Sequence, residues 1–151
     1  MAVDPDLGAE RLAEIYLVVG PLYRRVLNQV EQDRAVTGVT AGERAVLDML
    51  RRNGPMTVPA MARSQELSRQ FVQRMVNSAL EAGLVTAIDN PAHRRSSLIR
   101  LTPTGREAIE TVVRREHRLL REAARGLTEP QIEACLHVLR QMLRAVEALD
   151  E

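Results

Sequence analysis

Apolar residues recur at steps of three and four along Leu12, Ile15, Val19, Leu22, Val26 and Val30, the spacing that gathers side chains on one narrow face of a helix. Gly20 and Pro21 lie inside that stretch. An interior proline removes a backbone hydrogen bond at a cost of roughly 3 kcal/mol, so a kink or break is expected there. Thr40 and Glu43 have the spacing of a capping box, and a helix from about 41 to 52 should follow with Val46, Leu47 and Leu50 inward. Asn53, Gly54 and Pro55 stop it.

Two short helices come next. Thr57 caps one that runs to about Ser64, Gln65 to Leu67 form a tight connection, and Ser68 caps a helix from Arg69 to Ala82 that Gly83 ends. This is a helix-turn-helix arrangement. The second helix divides into an apolar face of Val72, Val76, Ala79 and Leu80, with Met75 beside it, and a polar face of Arg69, Gln70, Gln73, Arg74 and Asn77. Arginine pairs with guanine edges, and glutamine or asparagine with adenine.

Residues 84–88 and 98–101 are short apolar or β-branched runs separated by a polar turn, which predicts a β-hairpin. Thr102 and Pro103 open a long helix to about Arg125, ended by Gly126. Thr128 and Gln131 repeat the capping-box spacing before a last helix carrying Ile132, Leu136, Leu139, Leu143 and Val146 in coiled-coil-like steps. The predicted class is mainly α (α+β): a winged helix-turn-helix with a small β-hairpin wing and terminal helices. Its expected division is an N-terminal helix over 1–38, a winged helix over 39–102 and C-terminal helices over 103–151.

Composition narrows the chemistry. With 45% hydrophobic and 27% charged residues in 151, the chain can bury one ordinary core. Its longest wholly apolar run, Ile15 to Val19, is too short to span a bilayer, and no leader pattern opens it, so a cytoplasmic protein without membrane contact is expected. Cys135 is the single cysteine; it excludes an internal disulfide and is expected near the inward face of the last helix, inert. His93, His117 and His137 are scattered, with no metal spacing. No phosphate loop or nucleophile–base set occurs, so neither an enzyme nor a cofactor is expected. With three aromatic residues, stacking on unpaired bases is poorly supported, and duplex DNA is the preferred nucleic acid.

Net charge is only +1, but residues 69–106 hold six arginines against two acids, Glu81 and Asp89. Such a basic patch on a near-neutral chain fits an anionic partner surface. The arginines at the hairpin tip, Arg94 and Arg95, would follow the turn made by Asn90 and Pro91 and reach phosphates or a narrow minor groove.

With these elements in order, the chain resembles the MarR family of bacterial winged-helix regulators. The likeness runs from about Thr40 to Glu110 and rests on Val72 to Val76, Glu81 to Val85, the Arg94 and Arg95 wing pair, and Leu101 to Gly105. One position departs from the family's commoner wing: His93 stands where an aspartate usually braces the following arginine. The resemblance implies a DNA-binding transcriptional regulator, more often a repressor, that acts as a homodimer through its terminal helices on a pseudo-palindromic operator. It also implies a small aromatic or phenolic effector. Ser68, Arg69, Gln70, Gln73, Arg74, Asn77, His93, Arg94 and Arg95 are the expected DNA-binding residues. The rival reading is a helical interaction protein whose winged helix contacts another protein without binding DNA.

Overall fold

The structure is a computed structural model that describes residues 4–149. In chain order the elements are α1 (Pro5–Gln32), α2 (Arg34–Thr37), α3 (Ala41–Asn53), α4 (Val58–Ser64), α5 (Arg69–Glu81), β1 (Val85–Ile88), β2 (Leu98–Leu101), α6 (Pro103–Ala124) and α7 (Glu129–Glu147). It is mainly helical with one two-stranded sheet, as the sequence pattern predicts. The chain forms two compact units, residues 25–116 and the described residues up to 24 and from 117 onward.

The unit of residues 25–116 carries the core. Val46, Leu47, Met49 and Leu50 of α3 meet Met61 of α4 and Val72, Val76 and Ala79 of α5, with Ile99 of β2 and Ile109 of α6 completing the cluster. The capping box opens α3: Glu43 N–H donates to Thr40 Oγ1 at 3.1 Å, and Thr40 N–H donates to Glu43 Oε2 at 3.0 Å. Thr57 and Ser68 cap α4 and α5 through the amides of Ala60 and Phe71. Leu80, expected on the inward face of α5, instead stays 38% exposed and lines a cleft with Ala87 and Arg95 of the hairpin.

β1 and β2 pair antiparallel with Val85 opposite Leu101 and Ile88 opposite Leu98. A third, single-residue rung joins them: Met56 N–H donates to Ile99 O at 3.0 Å, and Ile99 N–H donates to Met56 O at 2.8 Å. One bridge leaves no alternating run to read, so the sequence pattern does not predict it. It fixes the hairpin to the segment before α4.

Two backbone positions have opposite requirements. At Gly105 in the first turn of α6, a Cβ would lie 1.8 Å from the carbonyl oxygen of Leu84. The same junction is tied by Thr102 Oγ1, which donates to Gly83 O at 2.7 Å and accepts from Gly105 N–H at 3.0 Å. In the turn between α4 and α5, Glu66 adopts φ 52°, a left-handed conformation without glycine, which lets Leu67 N–H return to Ala62 O at 3.0 Å. A side chain there costs about 1–2 kcal/mol.

Two bidentate ion pairs anchor consecutive residues of α6. Glu116 holds Arg44 of α3, through its Oε1 to Arg44 Nε and its Oε2 to Arg44 Nη2, the latter at 2.6 Å. Arg115 donates to both carboxylate oxygens of Asp33 at 2.7 and 3.0 Å; this bond and the nearby negative charge hold its guanidinium pKa above the ordinary value.

In the other unit the helices present apolar side chains outward. Tyr16 and Leu17 of α1 are 72% and 74% exposed, and Ile132, Leu136, Leu143 and Val146 of α7 are also exposed; α7 buries none of its residues. Leu139 is half-buried. Of the kink or break expected at Pro21, the break does not occur: α1 continues through it, since one missing amide bond is outweighed by the helix on either side. Cys135 is exposed rather than inward, although it shares a helical face with the half-buried Val138 and Met142, because the coverage of that face ends before its turn.

Gly105→Ala is expected to lose at least about 1–3 kcal/mol, because a backbone carbonyl cannot rotate aside to relieve the clash. Glu66→Gly should gain about 0.5–1 kcal/mol, the left-handed penalty less the entropy glycine loses. Urea unfolding measures both, and a neutral Gly105→Ala would refute the close approach of the two backbones.

Candidate nucleic-acid interface

The recognition surface follows from how α5 is held. Val72, Val76 and Ala79 are each fully buried, so the helix's other side must face outward. Ser68, Arg69, Gln70, Gln73, Arg74 and Asn77 are all exposed on it. Two of them are ordered by neighbours four or three residues along the helix: Gln73 Nε2 donates to Asn77 Oδ1 at 2.9 Å, and the Arg74 guanidinium lies 5.9 Å from the centroid of Phe71. Phe71 itself is half-buried against the core. A stacked guanidinium is partly pre-organised, which leaves its edge free to donate.

A buried carboxylate fixes the axial position of α5. Glu43 is 3% exposed; besides closing the α3 cap, its Oε1 accepts from the Ser78 hydroxyl on α5. Among the described residues no buried side-chain polar atom lacks a partner. Sequence reasoning finds the cap and misses Ser78, because nothing local connects residues 35 apart.

The hairpin brings its tip to the same side. A cleft of about 580 Å³ is shared by Arg69, Gln70 and Gln73 of α5 and by Arg95, Ser96 and Ser97 of the wing. Arg94 points elsewhere, into a second concavity of about 540 Å³ with Asp89, Asn90 and Pro91. The structure therefore joins Arg95 to the helix residues and separates Arg94 from them. Ser96 and Ser97, which border both concavities, carry no signal in the sequence that singles them out.

His93 is exposed beside the arginines. The wing turn is closed instead by Asn90, whose Oδ1 accepts from Ala92 N–H at 3.1 Å and whose carbonyl accepts from His93 N–H at 3.2 Å. Among the described residues, none of the six arginines from Arg69 to Arg106 takes part in an ion pair. Their guanidinium groups are thus not taken up in direct ion pairs, a condition that favours attracting an anion. No described cluster of histidine, cysteine or acidic residues could hold a metal.

The MarR family profile matches residues 37–96, which contain the helix pair and the wing tip. A crystal structure of the MarR family transcription regulator SP03579 superposes with a TM-score of 0.80 at 27% identity, covering 95% of each chain. Over this region the chain resembles the MarR family. The uncharacterised protein Rv2011c of Mycobacterium tuberculosis is 33% identical over 93 residues, 62% of this chain; the match spans 65% of that relative's length. The MarR of Staphylococcus aureus, solved in complex with salicylate and kanamycin, has a TM-score of 0.78 at 17% identity, covering 92% of this chain and 94% of that one; that likeness is one of fold. No described helix is long and apolar enough to cross a membrane.

Ser78→Ala removes a donor and leaves the buried Glu43 oxygen without its α5 partner, so it should cost about 1–3 kcal/mol in urea unfolding. A loss under about 0.5 kcal/mol, the size of an ordinary surface change, would show that this bond does not hold α5.

Proposed function

We propose that this protein is a sequence-specific, double-stranded DNA-binding transcriptional regulator. The observation that carries the reading is the common cleft of α5 and the wing, where Arg69, Gln70, Gln73 and Arg95 converge on a surface whose arginines have no internal acidic partners. Gln70, Gln73, Arg74 and Asn77 address base edges in a major groove, with Arg69 and Ser68 at the helix start meeting phosphate. Arg95 and Arg94, with His93 beside them, reach the flanking backbone and minor groove.

The regulator acts as a homodimer on a pseudo-palindromic operator. The exposed apolar side chains of α1 and α7 support this: Leu12, Tyr16, Leu22, Ile132, Leu136 and Leu143 form more uncovered apolar surface than an isolated soluble chain carries without a partner. Isologous pairing buries both copies of one face and presents two recognition helices one helical turn apart, about 34–36 Å. Repression follows where the operator overlaps a promoter, since the bound dimer occupies the groove a polymerase needs.

A small aromatic or phenolic acid releases the operator. The salicylate complex of the S. aureus relative supports this part, and the mechanism requires only that the acid bind one spacing of the recognition helices better than the other.

Arg95→Ala and Arg94→Ala should each weaken operator binding by about 1–3 kcal/mol and reduce the salt slope by about 1 for each phosphate no longer neutralised. Mobility-shift titrations at several salt concentrations, on an operator selected from a random duplex pool, measure both effects. Wild-type binding by the two variants would remove the wing from the interface. Sedimentation at micromolar concentration should give twice the monomer mass, and a lone subunit would end the dimer reading. A salicylate titration that moves neither melting temperature nor operator affinity would end the effector clause for that acid.

A further inference from the structure

The chain has five serines, and their hydroxyls divide by what they do. Ser64 donates to Met61 O, Ser68 caps α5 by accepting from Phe71 N–H, and Ser78 donates to Glu43. Among the described residues, the hydroxyls of Ser96 and Ser97 have no hydrogen-bond partner. Neither caps a helix nor ties two segments together. Ser97 is exposed, whereas Ser96 is half-buried and its amide donates to His93 O at 3.2 Å.

The charge around Ser97 is of one sign. Arg94 and Arg95 precede it by three and two positions, and no acidic residue occurs from Asn90 to Arg106. Neither arginine is taken up in an ion pair among the described residues. Residues 89–97 lie outside both strands, and Leu98, which follows, pairs with Ile88 at the loop end of the ladder, where opening costs least. An enzyme with an acid-lined substrate groove would select such a segment by its charge pattern: a free hydroxyl behind paired guanidiniums and ahead of an apolar side chain.

We propose that Ser97 is a phosphorylation site for a serine kinase that prefers basic substrates, and that its modification releases the operator. In the transfer, Ser97 Oγ attacks the γ-phosphorus of a nucleoside triphosphate held by the kinase. The new O–P bond forms as the bond to the β–γ bridging oxygen breaks, the nucleoside diphosphate leaves, and the hydroxyl proton passes to the kinase's carboxylate base. The product carries about −1.5 to −2 charges and three acceptor oxygens. Ser97 borders both the cleft that holds Arg69 and Arg95 and the concavity that holds Arg94, so the new dianion stands among guanidiniums. Being tethered, it competes for them at the effective concentration of an intramolecular ligand. The release step rests on the DNA-binding reading above and adds a covalent control that needs no small effector.

The test incubates the full chain with a serine kinase of basic-substrate preference and γ-labelled ATP. Label should enter at Ser97, be lost in Ser97→Ala, persist in Ser96→Ala, and enter about tenfold more slowly in Arg94→Ala. In phosphorus NMR the phosphoryl group should titrate below the usual phosphoserine value of about 6, and Arg95→Ala should bring it back toward that value, because a nearby cation favours the dianion. On an operator selected from a random duplex pool, the phosphorylated protein should bind about a hundredfold more weakly at low salt, and the gap should narrow as salt screens the repulsion. A phosphatase should restore binding, and the affinity of Ser97→Ala should be the same before and after kinase treatment. The site is overturned if label enters a free peptide of residues 90–101 but not the folded chain, if it enters elsewhere, or if protein recovered from its own cells in growth and stationary phase never carries phosphoserine at position 97. Equal operator affinity of the phosphorylated and unmodified proteins overturns the release step. If unmodified protein selects no duplex, the DNA-binding reading fails and the release step with it, while the label and the phosphorus titration still decide whether Ser97 is the acceptor.

Discussion

The geometry of the interface depends on the burial of one face of α5. Val72, Val76 and Ala79 lie at steps of four and three and are fully excluded from solvent against α3 and α4. Removing such side chains from water contributes about 1.5–3 kcal/mol for each valine, more than any single polar contact on the opposite face. The apolar side therefore sets the rotation of the helix, and the polar residues are exposed because the others are buried. Ser68 fixes where the helix begins, and the Glu43 to Ser78 bond fixes its position along α3. Rotation, start and axial position are three independent constraints on one 13-residue element.

A second set of constraints holds the wing to that helix. The Met56 to Ile99 bridge joins β2 to the segment entering α4, while Gly105 lets α6 pass against Leu84 at the base of β1. Thr102 closes the same corner through one hydroxyl that both donates and accepts. These contacts are short and mostly backbone, so they resist small shifts better than packed side chains do. Their consequence is that Arg95 and the α5 side chains share a cleft while Arg94, one residue earlier, does not.

Two groups of arginine in this chain contrast. Those at 44 and 115 are consumed in paired, partly buried contacts that bind α6 to α3 and to the end of α1. Those from 69 to 106 lie on the surface and form no ion pair among the described residues. The first kind organises the unit and the second gives it a field directed at an anionic partner. Residue type alone does not separate them, since all 21 basic residues are arginine.

Local signals along the chain are enough to set the elements and their order. Capping residues at Thr40, Thr57 and Ser68, the glycine stops and the helical period of α5 are of this kind, because helix starts and faces are decided by geometry within a turn or two. The basic character of the helix face and hairpin tip is equally legible, because charge needs no fold to be counted. What those elements do to one another is settled through space. Leu80 has the spacing of a core residue but emerges beside the wing, Cys135 stays exposed, and α1 carries Pro21 without breaking. The Ser78 partner of Glu43, the Met56 rung and the separation of Arg94 from Arg95 all join or divide residues by packing rather than by spacing. Periodicity records which side of an element is apolar; which neighbour meets that side, and where its coverage ends, depends on the packing of distant segments.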